Sequence, residues 1–265
     1  MSQSVEQPFA GRTIAVTGGC SGIGLAISRA LALQGATVYI ADLSKALPPE
    51  LSGLDRVHLV GECDITSRSA CDNFLNSIPS HLDGLVNSAG ICPSEGKMAS
   101  DEQYAKIMAV NVNGTWNIGT AAIRRMAQQE PRSGTGLLPG SERTLGAGSI
   151  VNIASGGGLR GIAGMAVYSA SKHAVLGLTR SWAKDWPTLR INAVAPGVTD
   201  TPLIRGTADA QGQENVGRLA AQLAARSPMG RMAYPTDVAD VVIFLLSGAS
   251  SFVTGQVIPV NGGSD

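Results

Sequence analysis

Very little in this chain offers metal or disulfide chemistry. Its four cysteines, Cys20, Cys63, Cys71 and Cys92, show neither a Cys-x-x-Cys pair nor metal-ligand spacing, which excludes a zinc ribbon and a disulfide framework. They are expected to be reduced thiols of a cytosolic protein. Cys20 falls inside a glycine turn and Cys92 just after Asn87–Gly90, so both can line a site there, although a free cysteine more often acts as a small apolar filler. His58, His81 and His173 are scattered. His173 follows Lys172 but points about 100° away from it on a helix. No histidine is assigned a catalytic role and no metal is expected.

Charge excess is also missing. Lys plus Arg total 20, as do Asp plus Glu, and no basic tract or basic amphipathic stretch stands out. Nucleic acid and membrane surfaces are therefore not expected partners. No run of about 18 apolar residues exists to span a bilayer. The start, Met1 to Pro8, lacks the apolar core of a secretory signal. The expectation is a cytoplasmic protein whose partner is a small molecule.

What the chain does have is apolar substance in a regular pattern. Hydrophobic residues make up 44%, enough for a three-layer core. Strand-like and helix-like runs alternate throughout, which predicts an α/β protein with a parallel, doubly wound sheet. Thr13–Thr17 is a short β-branched run. Gly18-Gly19-Cys20-Ser21-Gly22-Ile23-Gly24 follows at once, then Leu25–Leu33 with apolar residues at helical spacing and Gly35 as a stop. Strand, glycine turn and helix form the context in which backbone approaches a pyrophosphate and a helix N-terminus receives it. Thr37–Ala41 reads as the second strand and ends at Asp42, eighteen residues after Gly24. An acid near that spacing accepts a hydrogen bond from a ribose 2′-hydroxyl and repels a 2′-phosphate. This favours NAD over NADP. Lys45 keeps NADP open, since a cation there could pair with the phosphate.

Tyr168 and Lys172 are four residues apart and share one face of a helix. A nearby cation favours phenolate over phenol, so the pair can trade protons. Gly148–Ser155 is an apolar run that delivers the Ser155 hydroxyl at a strand tip, thirteen residues before Tyr168.

Along nearly its whole length the chain resembles the short-chain dehydrogenase/reductase family. Thr17-Gly18-x-x-x-Gly22-Ile23-Gly24 is similar to the family's cofactor motif, and Asn87-Ser88-Ala89-Gly90 to its Asn-Asn-Ala-Gly, with Ser88 replacing the second Asn. Asp64 matches the acid at the adenine end. Asn111, Ser155, Tyr168 and Lys172 match the catalytic tetrad. Pro196–Thr201 matches the segment closing over the nicotinamide, and Val253–Gly263 the last strand. The resemblance implies a single Rossmann-type domain of about seven parallel strands with helices on both faces. It implies cofactor contacts from Gly18, Ser21, Gly22, Ile23, Gly24, Asp42, Asp64, Ile65, Asn87, Ala89, Gly90, Tyr168, Lys172, Pro196, Gly197, Val198 and Thr199, and substrate contacts from Ser155, Gly157 and Tyr168. In the mechanism so implied, Tyr168 is the acid/base and Lys172 lowers its pKa and holds the nicotinamide ribose. Ser155 steadies the substrate oxygen. Asn111, on a helix over Asp101–Met126, holds a water that relays protons. A homotetramer is implied, with a dimer as fallback.

Several stretches depart from the family. Residues 1–9 read as a tail. Between Asp42 and Val57 only fourteen residues remain, with Pro48-Pro49 among them, so the crossover helix should be one turn or absent. Residues 131–147 are polar and rich in Gly, Ser and Pro, and read as a flexible loop remote from the chemistry. Residues 203–231 are expected to form the substrate lid, an amphipathic helix with Ala208, Ala210, Val216, Leu219, Ala220, Leu223 and Ala224 on one side. Gly156-Gly157-Gly158 leave a pocket wall bare. These features predict an NAD-dependent secondary-alcohol dehydrogenase for an apolar, bulky metabolite such as a steroid, terpenoid or polycyclic compound. By analogy they are similar to dehydrogenases of fungal specialised metabolism. An NADPH-type ketoreductase and a scaffold that keeps the cofactor fold are the alternatives.

Overall fold

In the computed structural model, residues 7–79, 81–135, 140–204, 221–222 and 224–264 are described. The β-branched runs form the central sheet. Its strands are β1 (Thr13–Thr17), β2 (Thr37–Ala41), β3 (Val57–Val60), β4 (Gly84–Asn87), β7 (Gly148–Ile153), β8 (Leu189–Pro196) and β9 (Val257–Val260). All neighbours pair in parallel, in the order β3-β2-β1-β4-β7-β8-β9.

Both faces of the sheet are buried, and side chains divide between them with period two. Ile14, Val16, Val86, Val151 and Val194 face α1 (Gly22–Leu33) and α6 (Pro235–Leu246). Ala15, Leu85, Ile150 and Ile191 face the opposite layer. That layer is built from α2 (Arg68–Asn76), α4 (Thr115–Met126) and α5 (Ala166–Asp185). Fully burying one such aliphatic side chain contributes about 1.5–3 kcal/mol. A sheet lined this way on both sides cannot be slipped by one residue without moving one core into the place of the other.

Strand order reverses beside β1, where β2 lies on one side and β4 on the other. The crevice outside the carboxyl ends at that point is where such sheets bind ligands. Between β2 and β3 no helix forms, as the short, proline-broken segment predicts. Leu51 is instead buried against the α1 face.

Three expectations need correction. Residues 131–147 are not simply a loop: β5 (Arg132–Thr135) and β6 (Glu142–Gly146) pair antiparallel as a hairpin. Its tip, residues 136–139, lies outside the described residues. Arg132 explains the hairpin's place, because it pairs with Asp83 at the N-terminal end of β4. Arg143 Nη1 donates to Ser251 Oγ at 3.1 Å. The hairpin thus sits at the end of the sheet opposite the Asn87 and Ser155 tips.

The expected single helix over Asp101–Met126 is interrupted. α3 (Asp101–Met108) and α4 are joined by a π-helical turn, Ala109–Gly114, that contains Asn111. Finally, the N-terminal tail ends sooner than residue 9. Phe9 is buried, and its N–H donates to the Gln34 carbonyl at 3.1 Å. Of the lid, residues 205–220 and 223 lie outside the described residues. No described helix is long and apolar enough to cross a membrane.

Candidate active site

The glycine turn opens the site. Gly18 and Gly22 have φ of +65° and +52°, a left-handed backbone that favours glycine. A Cβ on Gly18 would come within 2.8 Å of the Ala89 Cα, so the turns after β1 and β4 lie backbone to backbone. Thr17 ties them further: its Oγ1 accepts from the N–H groups of Ser88 and Ala89, both at 3.1 Å. Ser21 stands at the N-cap of α1 with no side-chain cap. The start of that helix is thereby left to a ligand's oxygens. A close-packed, side-chain-poor cradle at a helix N-terminus suits a dinucleotide pyrophosphate.

Asp42 stands at the end of β2 as the spacing requires. Its Oδ2 accepts from the Cys20 N–H at 3.0 Å and its Oδ1 from the Ser44 N–H at 2.9 Å. The carboxylate is therefore locked against the glycine turn. Lys45 is drawn away to Glu62 at 3.2 Å, on the surface. Asp64 is exposed and accepts from the Thr66 N–H at 2.9 Å.

Ile65 and Asn87, both expected to contact the cofactor, are also packed into the fold. The Ile65 side chain is buried in the core, and a Cβ on Gly114 would come within 2.5 Å of its Cδ1. The Asn87 amide donates to Asn152 Oδ1 at 2.7 Å, inside the sheet. Pro196 ends β8, and the Gly197 N–H donates to the Val260 carbonyl at 2.9 Å. Val198 accepts from the Ala233 N–H at 2.9 Å, and Thr199 bridges to Ala233. Thr201 then lies 3.4 Å from where a Cβ on Gly22 would be. This segment thus reaches across to the glycine turn.

The four tetrad residues converge. Ser155 follows β7 and caps the short turn Gly156–Gly158 by accepting from the Gly157 N–H at 3.1 Å. Tyr168 and Lys172 lie on the first turns of α5. Lys172 Nζ is buried, donates to the Ile153 carbonyl at 3.0 Å and lies 5.9 Å from the Tyr168 ring centre. Asn111 accepts from the Ile91 N–H at 2.9 Å and donates to the Ile91 carbonyl at 3.0 Å and to Ser171 Oγ at 3.1 Å. One amide side chain thus joins the π-turn, the strap after β4 and the helix bearing Tyr168.

Electrostatics here differ from the simplest expectation. Burial pushes the Tyr168 phenol above its ordinary value, the Cys92 thiol adds to this, and the hydrogen bond with Ser155 opposes it. Burial also lowers Lys172 to about 8. At neutral pH it remains mostly a cation, but a poorly solvated one. The Cys92 thiol is pushed up to about 11 by burial, with Lys172 opposing and Glu95 adding. Cys20 is likewise raised to about 11, by burial and then Asp42. Both cysteines line the site as packed thiols and not as nucleophiles. Among the described residues no cluster could hold a metal ion.

Neighbours lie close to two of the three glycines Gly156–Gly158. A Cβ on Gly157 would meet Ile162 Cδ1 at 3.0 Å and Tyr168 Cε1 at 3.4 Å, and one on Gly158 would meet the Lys172 carbonyl at 2.9 Å. Gly158 lets α5 pack closely, and Gly157 faces the Tyr168 ring without a side chain. The sequence reading also missed Glu95. This buried acid bonds the start of α5, and no motif spacing marks it.

The chain is similar to known proteins along nearly its whole length. The family described as enoyl-(acyl carrier protein) reductase matches residues 18–265. The cis-4-hydroxycyclohexanecarboxylate dehydrogenase of Sinomonas cyclohexanicum is 35% identical over 268 residues, covering 97% of this chain and 98% of the relative. The crystal structure of levodione reductase superposes with a TM-score of 0.84 at 28% identity, covering 96% of this chain and 98% of that one. ElxO, solved with NADP bound, gives 0.81 at 27% identity, covering 95% and 98%. With the parallel sheet, the glycine turn and the converged tetrad, these matches establish that the chain belongs to the short-chain dehydrogenase/reductase family, oxidoreductases of alcohols and ketones.

Proposed function

We propose that the chain is an NAD-dependent oxidoreductase that interconverts a secondary alcohol and a ketone on an apolar small molecule, with Tyr168 as acid/base. Asp42 carries the cofactor reading. Its carboxylate is held beside the glycine turn by two backbone N–H groups, where it accepts a ribose 2′-hydroxyl and repels a 2′-phosphate. Lys45, the cation that would argue for NADP, pairs with Glu62 on the exposed surface.

The glycine turn would hold the pyrophosphate, Asp42 the adenosine ribose, and Asp64 the adenine end. Gly90 and Pro196–Thr199 would flank the nicotinamide. Bound there, the nicotinamide supplies a hydride acceptor or donor. Tyr168 takes the proton from the substrate hydroxyl in oxidation and returns it in reduction. Ser155 donates a hydrogen bond to the substrate oxygen and offsets the charge developing there. Lys172 spends one of its three donors on Ile153. The other two are left for the nicotinamide ribose and for a proton relay through water at Asn111. As Tyr168 is buried, its phenolate relies on this cation and on Ser155.

For the substrate, apolar character is better supported than size. Ile162 and Cys92 border Tyr168, which suits a ring or alkyl group. The relatives' names, a hydroxycyclohexanecarboxylate dehydrogenase and a levodione reductase, support alcohol and ketone chemistry, the first on a ring that carries a charged carboxylate. An NADPH-dependent ketoreductase is the second reading, favoured by the NADP found in ElxO. A scaffold role is disfavoured by the complete tetrad.

Fluorescence titration with NADH and NADPH, followed by a panel of cyclic secondary alcohols monitored at the NADH absorbance band, tests the proposal. Tighter NADH binding and turnover of apolar alcohols are expected. Tighter NADPH binding would transfer the assignment to the ketoreductase reading.

A further inference from the structure

α5 begins without a cap of its own. Its N-cap is Met165, which makes no side-chain hydrogen bond, and its first turn contains no acid. Helix N-termini leave backbone N–H groups without intrahelical partners, and buried ones must find acceptors. Here they find a single side chain from far away in sequence. Glu95 Oε2 accepts from the Val167 N–H at 2.8 Å, and Oε1 accepts from the Tyr168 N–H at 2.7 Å. Both oxygens of one buried carboxylate are thereby spent on the peptide groups that carry and precede the proposed acid/base.

Glu95 belongs to a strap, residues 91–96, that is pinned along its length. Asn111 bonds both backbone groups of Ile91, and Gln103 Nε2 donates to the Ser94 carbonyl at 3.0 Å. Cys92, near Tyr168 and Lys172, lies on the same strap. A fixed segment thus ends in a two-pronged clamp on the catalytic helix.

We propose that Glu95 is a positioning residue for Tyr168: it caps α5 in place of a local N-cap, fixes the tyrosine backbone, and sets a negative charge beside the helix start. This rests on Tyr168 being the acid/base. Two consequences can be separated. The clamp needs reach, because one oxygen must serve each N–H. The charge strengthens both bonds, since an ionised acceptor binds an N–H more tightly than a neutral amide oxygen does. The titratable groups near Tyr168 are Lys172 on its own helix and Cys92 and Glu95 on the strap. Cys92, at about 11, stays a thiol across the usual assay range.

Glu95→Asp keeps the charge and loses reach. It should lower kcat about ten- to a hundredfold, as small displacements of reacting groups do, with NADH affinity and the pH profile unchanged. Glu95→Gln keeps the length, loses the charge and can offer only one acceptor oxygen. It should lower kcat as well, with NADH affinity unchanged. In both variants amide exchange at the start of α5 should quicken, read by hydrogen–deuterium exchange without any cofactor. If either variant folds poorly, the other still decides, with NADH binding as the check of integrity. Wild-type kcat and wild-type exchange in a folded variant would overturn the proposal. Tyr168→Phe run alongside separates the two readings. An inactive Tyr168→Phe with silent Glu95 variants sinks the clamp alone, and an active Tyr168→Phe sinks the assignment of Tyr168.

Discussion

Lys172 keeps its Nζ 5.9 Å from the centre of the Tyr168 ring while donating to the Ile153 carbonyl at 3.0 Å. The ammonium lies on the same side of α5 as the tyrosine ring and is tethered to the strand that ends beside Ser155. Tyrosine, lysine and serine are therefore registered by one strand and one helix, and a fault in either displaces all three.

Tyr168→Phe removes the hydroxyl and keeps the ring. Turnover should fall by about 10²–10⁴-fold, the usual contribution of general acid–base catalysis. NADH binding by fluorescence should stay near that of wild type. A near-normal rate would mean that the proton comes from another group.

Lys172 makes stability depend on pH in an unusual direction. Its folded value, about 8, lies below the ordinary 10.5 because of burial. In the window between those values the unfolded chain binds more protons than the folded one, so stability rises with pH across it, and the full penalty is present below it. That penalty is at most about 3 kcal/mol. Lys172→Met should resist urea better than wild type near neutral pH, with the advantage shrinking toward about pH 10, while losing activity. Urea melts that differ equally at both pH values would count against a buried cation.

Asp42→Ala deletes the acceptor of the Cys20 and Ser44 N–H groups along with the carboxylate facing the ribose. Weaker NADH binding and a smaller preference over NADPH are expected in paired titrations. An unchanged preference would shift the selection to other residues, with Lys45 the first to examine.

The α3–α4 surface exposes Tyr104 and Trp116, and Phe252 is fully exposed beyond α6. Apolar faces of this kind are commonly buried across two-fold axes. Light scattering is expected to give a homotetramer, with a dimer as fallback, and Phe252→Asp should lower the assembly state. A stable monomer at micromolar concentration would refute this expectation.

The sequence by itself marked the strands at Thr13–Thr17, Thr37–Ala41, Val57–Val60 and Gly148–Ile153, the glycine turn, and the places of Asp42, Ser155, Tyr168 and Lys172 on these elements, because each depends on local rules. A continuous apolar, β-branched run marks a strand buried on both faces. Positive-φ turns favour glycine, and i to i+4 spacing brings Tyr168 and Lys172 to one side. The missing crossover helix was legible too, since chain length and Pro48-Pro49 forbid it. Other features depend on partners far away in sequence. A polar Gly/Ser/Pro stretch became a hairpin because Arg132 reaches Asp83. Asn111 entered a π-turn that lets it bond Ile91 and Ser171. Gly157 came to lie between Ile162 and the Tyr168 ring. Phenol and thiol values were set by burial, which no spacing encodes. Glu95 was invisible for the same reason: only the folded chain brings its carboxylate to the two N–H groups that α5 cannot satisfy alone.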